Sequence, residues 1–493
     1  MSAFARKLTA LAIPGLALFR LAGCSSNDAV PPATGGSSSS TGGQSGSSGG
    51  TPATTGGTSV STTGGTGVST TGGTSVSTTG GTSVSTTGGV GPTAGNGSGG
   101  TLGGSTGTGG QVSSGGGNSG GNCVLPNLPD VSALPAGSIK LPDPFTFFDG
   151  TKVTTKAQWE CRRKEILAMA AKYLYGPVPG DCDEVSGSVS GSTVNITCKV
   201  GGKSADFSVS ITGSGKSINV DLSSGILPQG KSMKVTGNDS KIKTLYGLSE
   251  INPNIANAWT INRVMDVLEK NPTAGLDPKT IAVSGCSGCG KGAFLAGVFS
   301  RAPIVVIVES GGGGATSWRM TEWFRHGEGK SRWMCGDPPQ GIDDLEDSGI
   351  CGPWVTSVAK PLRDKPALVN NLPFDQHMLI ATIAPRYLVH FTNNNGKNSW
   401  CHLAGTSEAL ADWAAHSVYK ALGVEKNHSF EIYSGGHCGV GDTGIAAAMF
   451  KRALDGDMTA DTGKQIIPDD HVQVPMSEWK GLFVDWNMDT VLQ

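Results

Sequence analysis

The chain has 493 residues, 37 basic and 39 acidic side chains and a formal net charge of −2, which leaves no surplus for binding a polyanion and no acidic tail. Hydrophobic residues make up only 37% and glycine takes 76 positions, but the shortage is local: no charged residue occurs between Asp28 and Asp130. Outside that stretch lie roughly 370 residues of ordinary globular composition, enough for one large core, and a nucleic-acid binder, a coiled coil and a multi-span membrane protein are all disfavoured.

Residues 1–24 read as an export signal. Arg6 and Lys7 supply the positive start, and Leu8 to Leu21 is mostly apolar but too short to span a bilayer. The segment ends Leu21-Ala22-Gly23-Cys24, which is similar to the lipobox of bacterial lipoproteins, so Cys24 is expected to be lipidated after cleavage. Arg20 sits awkwardly inside the apolar run. The expected destination is the cell surface or the extracellular space, which is oxidising. Membrane contact is expected only through the lipid. Removing Cys24 leaves ten cysteines, an even number that allows up to five disulfides without fixing their connectivity.

Residues 25–122 form a tether. From Thr54 to Gly89 the unit TTGGTSVS repeats four times with one variant and begins again. A period of eight with a single valine per unit has no apolar payload to stack into a solenoid or offset chain entropy, so disorder is expected. About 100 flexible residues reach on the order of 50–60 Å.

From Cys123 onward, residues 123–493 alternate apolar runs with helical patterns. Ile281 to Ser284 is β-rich, Lys291 to Arg301 carries a helical apolar stripe, and Ile304 to Val308 is continuous enough for a fully buried strand. Tyr387 to Phe391 and Ser429 to Tyr433 repeat the pattern. Alternating strands and helices predict an α/β three-layer sandwich around a mostly parallel sheet, with function at the carboxyl ends of the strands.

One strand-to-helix junction, Ser284-Gly285-Cys286-Ser287-Gly288-Cys289-Gly290-Lys291-Gly292, permits three readings. As a phosphate loop it has the glycine and lysine spacing but Gly292 where Ser or Thr should bind magnesium. As a dithiol centre it has Cys286-x-x-Cys289. As a nucleophile elbow it puts Ser287 on a tight turn beside the N–H groups that open a helix, although Cys289 replaces the second glycine of G-x-S-x-G.

The rest of the chain favours the elbow. A serine needs a base, and the base needs an orienting acid. Glu309 ends the buried Ile304–Val308 run, and His437 follows the run ending at Tyr433. Ser, acid, His is the α/β-hydrolase order. The loop after Phe391, where that fold often carries its acid, has no carboxylate through Asn398, which leaves the role to Glu309. Cys286 precedes Ser287 and Cys438 follows His437, so convergence of serine and imidazole would bring the two sulfurs within bridging range. No His and carboxylate cluster has metal spacing, and no metal is expected.

These segments resemble the glucuronoyl esterases of carbohydrate esterase family 15. The likeness runs through Leu141 to Arg163, the Ser287 elbow with Gly290-Lys291-Gly292-Ala293, Glu309-Ser310-Gly311, Trp318-Arg319, Leu372 to Leu379, Ile383 to Arg386 and Gly436-His437-Cys438. It implies an α/β-hydrolase-like fold with no cofactor. It also implies cleavage of the ester between (4-O-methyl-)glucuronoyl groups of glucuronoxylan and lignin alcohols. A monomer is expected. In that reading Ser287 is the nucleophile, His437 the general base and Glu309 its orienting acid, while Lys291 and Trp400 contact the sugar. His402 is a further residue that could line the site. Gln340, Asp343 and Glu346 lie where other sugar contacts would fall. The implied disulfides are Cys123–Cys161 and Cys286–Cys438, and Ser317 removes a third. Cys182–Cys198, Cys335–Cys351 and Cys289–Cys401 are then the remaining pairings.

Where the family usually has an arginine after the serine, this chain has Gly288. Loss of one oxyanion donor typically costs on the order of 10²–10³ in rate. Lys291 and Arg319 are candidates to compensate. The alternative is a tethered carbohydrate-binding protein of the same fold with weak or lost esterase activity.

Overall fold

The computed structural model describes residues 123–222, 227, 230–345, 353–393, 401–441 and 444–493. The signal-like segment with Cys24, the repeats, Glu346 and Trp400 lie outside the described residues.

Strands β1 (Glu184–Ser190), β2 (Thr193–Val200), β3 (Lys203–Thr212), β4 (Ile218–Asp221) and β5 (Lys231–Lys234) are followed by β6 (Ile281–Cys286) and β7 (Ile304–Val308). Then come β8 (Tyr387–Asn393), β9 (His428–Tyr433) and β10 (Gln465–Ile466). They form one sheet in the order β1-β2-β3-β5-β4-β6-β7-β8-β9-β10. The β1-β2-β3-β5 end is antiparallel, and from β5 through β10 every neighbouring pair is parallel. Helices α1 (Lys156–Ala170), α2 (Asp239–Tyr246), α3 (Pro253–Lys270), α4 (Ser287–Phe299) and α5 (Trp318–His326) precede α6 (Lys360–Asp364) and α7 (Gln376–Ala381). Helices α8 (Gly405–Ala421), α9 (Ile445–Asp455) and α10 (Met476–Leu482) follow.

Strand periodicity decides the layering, because successive side chains point to opposite faces. On β7, Val305 and Ile307 join the core packed with α3, α4, α7 and α8, whereas Ile304, Val306 and Val308 face Ile445 and Met449 of α9. Both faces of the parallel part are therefore covered, and its strands read as continuous apolar runs. The antiparallel end is apolar on one side only: Val194, Ile196 and Cys198 of β2 and Phe207, Val209 and Ile211 of β3 are buried, and their sequence neighbours are mostly not. The result is the expected α/β three-layer sheet, with a meander at one edge that the apolar-run reading passed over.

Helix α4 begins at Ser287, four residues earlier than its apolar stripe suggests, so the elbow serine is its first residue. Between α3 and strands β6 and β7, α4 is buried along nearly its whole length. Among the described residues no helix is long and apolar enough to cross a membrane.

Disulfides Cys123–Cys161, Cys182–Cys198 and Cys286–Cys438 are present as expected. The other pairings need correction. Cys335 pairs with Cys401 at a Cα–Cα distance of 6.0 Å, not with Cys351. The chain after Cys335 runs back beside the turn Cys401–Leu403, where the Gln340 N–H donates to the His402 carbonyl at 2.8 Å. Spatial adjacency thus overrides closeness in sequence. Cys289 is disulfide-bonded too, to a residue other than Cys401, so Cys286-x-x-Cys289 is not a free dithiol.

Candidate active site

Ser287 stands between β6 and α4 with φ at +56°, in the left-handed region that side chains with a Cβ rarely adopt. The turn is possible because glycines stand around it at 285, 288 and 290. A Cβ on Gly285 would lie 2.0 Å from the Cys289 carbonyl oxygen, and one on Gly290 would lie 2.7 Å from that of Val308. Gly290 therefore supplies the close helix–strand approach that the missing second glycine of the elbow pattern would serve. Ser287 and Gly288 remain half-buried at the helix mouth, where the first N–H groups have no partner inside the helix.

Glu309 directly follows β7. It too has positive φ, at +44°, and its N–H donates to the Phe391 carbonyl at 2.8 Å. Its side chain is 1% exposed. One carboxylate oxygen accepts from the Tyr433 hydroxyl. The other accepts from His437 Nδ1 and, at 3.2 Å, from the Cys438 N–H. Burial, then the Glu309 charge, push the Tyr433 hydroxyl far above its ordinary pKa, so it is a permanent neutral donor. The loop carrying His437 is held from below by Asn393, whose Nδ2 donates to the Gly435 carbonyl at 2.8 Å. Asn393 thus occupies the end of β8, where the fold often carries its acid, and does a different job.

The Cys286–Cys438 disulfide closes the arrangement, with Cα atoms 5.6 Å apart across 152 residues of sequence. It links the residue before Ser287 to the residue after His437. A His437 ring nitrogen lies within 4.8 Å of both sulfurs. Those sulfurs are spent in the disulfide and offer no thiolate to a metal. Of four non-glycine residues with positive φ among the described residues, Ser287, Glu309 and Cys438 are here. Backbone strain of this kind costs of order 1–3 kcal/mol per residue and concentrates at functional sites.

Lys291 is no surface lysine. Its side chain is fully buried, its Nζ donates to the Ser310 carbonyl, and it sits 4.5 Å from the Trp354 ring centroid. Burial pulls its pKa down to about 7, against the opposing charge of Glu408. Arg319 is ruled out as a replacement for the arginine that Gly288 displaces. Its guanidinium is buried and taken up by the carbonyls of Phe374 at 3.0 Å, Asn370 at 3.0 Å and Ser138 at 3.2 Å, and by Asp375.

Comparison with known proteins matches this chain to one family. The model of fungal glucuronyl esterases matches residues 224–423. A 4-O-methyl-glucuronoyl methylesterase from Schizophyllum commune is 32% identical over 357 residues, covering 67% of this chain and 83% of that protein. The chain belongs to the glucuronoyl esterase family. It is a carboxylic ester hydrolase like its relatives, among them the Neurospora crassa 4-O-methyl-glucuronoyl methylesterase, 34% identical over 61% of this chain and 77% of that one. The solved glucuronoyl esterase catalytic domain from Hypocrea jecorina superposes with a TM-score of 0.60 at 30% identity, covering 74% of this chain and all of that one. A serine-to-alanine mutant of the Sporotrichum thermophile enzyme, in complex with methyl 4-O-methyl-β-D-glucopyranuronate, gives 0.60 at 29% identity, covering 73% and 97%.

Within this esterase, the remaining expected contacts fare unequally. His402 is half-buried, and burial followed by the Lys291 charge lowers its pKa. The Gln340 side chain borders Gly311, where an added Cβ would lie 3.2 Å from its Oε1. Asp343 is instead committed to Arg325 at 2.6 Å. His377 and His416 are structural: the first faces the Pro142 carbonyl at 2.8 Å, the second His428 at 3.3 Å. Sequence reasoning missed Tyr433, Asn393 and Trp354, which hold site residues in place and belong to no motif. Tyr433 alone carried a signal, as the last residue of a buried strand four before His437.

Proposed function

We propose that this esterase hydrolyses the ester between (4-O-methyl-)glucuronoyl groups of glucuronoxylan and lignin alcohols. Ser287 Oγ attacks the acyl carbon while the His437 ring nitrogen opposite Nδ1 takes its proton, and N–H groups at the start of α4 face the oxyanion. The imidazolium then protonates the departing alcohol, leaving a glucuronoyl–Ser287 ester. Water, deprotonated by His437, releases the glucuronate and restores the serine. Glu309 orients the imidazole and balances its charge. The observation that carries the reading is the Cys286–Cys438 bridge between a serine elbow and a histidine whose Nδ1 faces a buried Glu309.

The alkyl part of the natural ester, the sugar contacts of Lys291 and Trp400, and the monomeric state belong to the same proposal. So does a lipid on Cys24 that leaves the catalytic domain tethered outside the cell through the Gly/Ser/Thr-rich stretch. The mass of the mature N-terminus tests that part: an unmodified residue after cleavage elsewhere overturns it. For the reaction, release of benzyl alcohol from a benzyl glucuronate ester is expected to be abolished in Ser287→Ala and unaffected by a chelator. Turnover at the native rate in that variant sinks the mechanism. Gly288 motivates the second reading, a carbohydrate-binding protein with little catalysis, which requires xylan affinity in a native protein that turns over no uronate ester.

A further inference from the structure

Beneath the carboxyl ends of β7 and β8, on the face away from α9, lies a row of buried charged groups with no part in the acyl transfer. Glu408 of α8 is completely buried. One of its oxygens accepts from the Ser310 hydroxyl at 2.6 Å and the Gly311 N–H at 2.7 Å, and the other accepts from the Thr392 hydroxyl. His390 of β8 lies 3.7 Å from Glu408 and donates through Nδ1 to Asp412. Asp412 is approached in turn by His428 Nε2 at 2.9 Å. Burial opposes charge here, yet Asp412 and Glu408 push His390 up to about 10, and both carboxylates stay below their usual range.

Such a row is a poor way to gain stability, because apolar side chains of similar volume generally do as well or better. Its connections suggest another purpose. Ser310 and Gly311 directly follow Glu309, whose left-handed backbone needs restraint from its surroundings. The Ser310 hydroxyl also accepts from the Ala315 N–H at 2.8 Å, so Glu408 fixes both ends of the glycine-rich turn. The Ser310 carbonyl is the acceptor for Lys291.

We propose that Glu408 is a positioning residue for the reaction: it clamps the Ser310–Gly311 turn so that the Glu309 carboxylate is presented to His437. The inference rests on the Ser287, His437 and Glu309 reading above. The test is a double-mutant cycle on benzyl glucuronate ester hydrolysis, combining Glu408→Gln or Ser310→Ala with Glu309→Gln. Ser310→Ala keeps the charged row intact and carries the test should Glu408→Gln fail to fold.

Each single change at the clamp is expected to lower kcat roughly 10–100-fold, by analogy with residues that orient metal ligands, with KM moved less than about threefold. In the Glu309→Gln background the same change is expected to cost less than about threefold, because the residue it positions is already gone. Equal losses in the two backgrounds, or unchanged kcat in folded clamp variants, overturn the proposal. If Ser287→Ala is dead while the clamp losses are equal, the positioning inference alone fails. If Ser287→Ala keeps the native rate, the catalytic reading fails with it.

Discussion

Three side chains at this site are held where polypeptides seldom go. Ser287, Glu309 and Cys438 have φ of +56°, +44° and +61°, and each is fixed by something specific: a turn made of glycines, the Glu408 clamp, and a disulfide. Tyr433 is the simplest to probe. Its hydroxyl donates to one oxygen of the Glu309 carboxylate, so Tyr433→Phe leaves that buried group one donor short. That change is expected to lower kcat/KM about 10-fold and stability by about 1–3 kcal/mol, measured by ester hydrolysis and urea unfolding. Gly288 poses the opposite question. Arg319 is buried and committed to Asp375 and backbone carbonyls, so Gly288→Arg is expected to raise kcat by about 10-fold or more on a benzyl glucuronate ester. A slower Gly288→Arg enzyme would mean that this site has been rebuilt around the glycine.

At the scale of elements, the site is the meeting of three strand ends. Parallel register places Cys286 opposite Val308, Val308 opposite Phe391 and Phe391 opposite Glu431, so the residues that follow β6, β7 and β9 emerge along one edge. Gly290 sets how closely α4 lies on β7. In Gly290→Ala the new methyl would meet the Val308 carbonyl at 2.7 Å, so α4 must shift and carry Ser287 with it. A loss of about 1–3 kcal/mol in unfolding free energy is expected, together with a fall in kcat larger than in KM. The Cys286–Cys438 bridge joins β6 to the loop after β9. Replacing both cysteines by alanine is expected to cost about 2–5 kcal/mol on unfolding and to reduce turnover even at temperatures where the variant is folded.

For the whole molecule, buried histidines of opposite kind set the pH range of stability. His377 is held neutral by burial, with its pKa lowered to about 4, and burial followed by the His428 charge lowers His416 to about 3. The stability tied to these two is complete above the ordinary histidine value near 6.5 and is lost as pH falls from there toward 4 and 3, because the unfolded chain binds the protons first. His390 has the opposite sign. With its pKa raised to about 10, its contribution is complete below 6.5 and is lost as pH rises toward 10. The melting temperature is therefore expected to peak near neutral pH and fall on both sides. His390→Gln should flatten the alkaline side, and a profile still falling there to the native extent would contradict the assignment.

Much of this was legible in the sequence for one physical reason: short, β-branched apolar runs between helical patterns read as buried strands, and the ends of such strands in a parallel sheet share an edge. Ile304–Val308, Glu309 after it and His437 beyond β9 followed from that, as did the disulfide beside Ser287 and His437. The antiparallel edge was passed over because its alternating strands, half exposed, look polar when read as runs. The pairing of Cys335 with Cys401, the burial of Lys291 over Trp354, and the partners Tyr433, Asn393 and Glu408 were decided only by the tertiary structure. Each depends on segments far apart in the chain arriving side by side, and a buried polar group's worth is set by the partner it finds there, which no local pattern encodes.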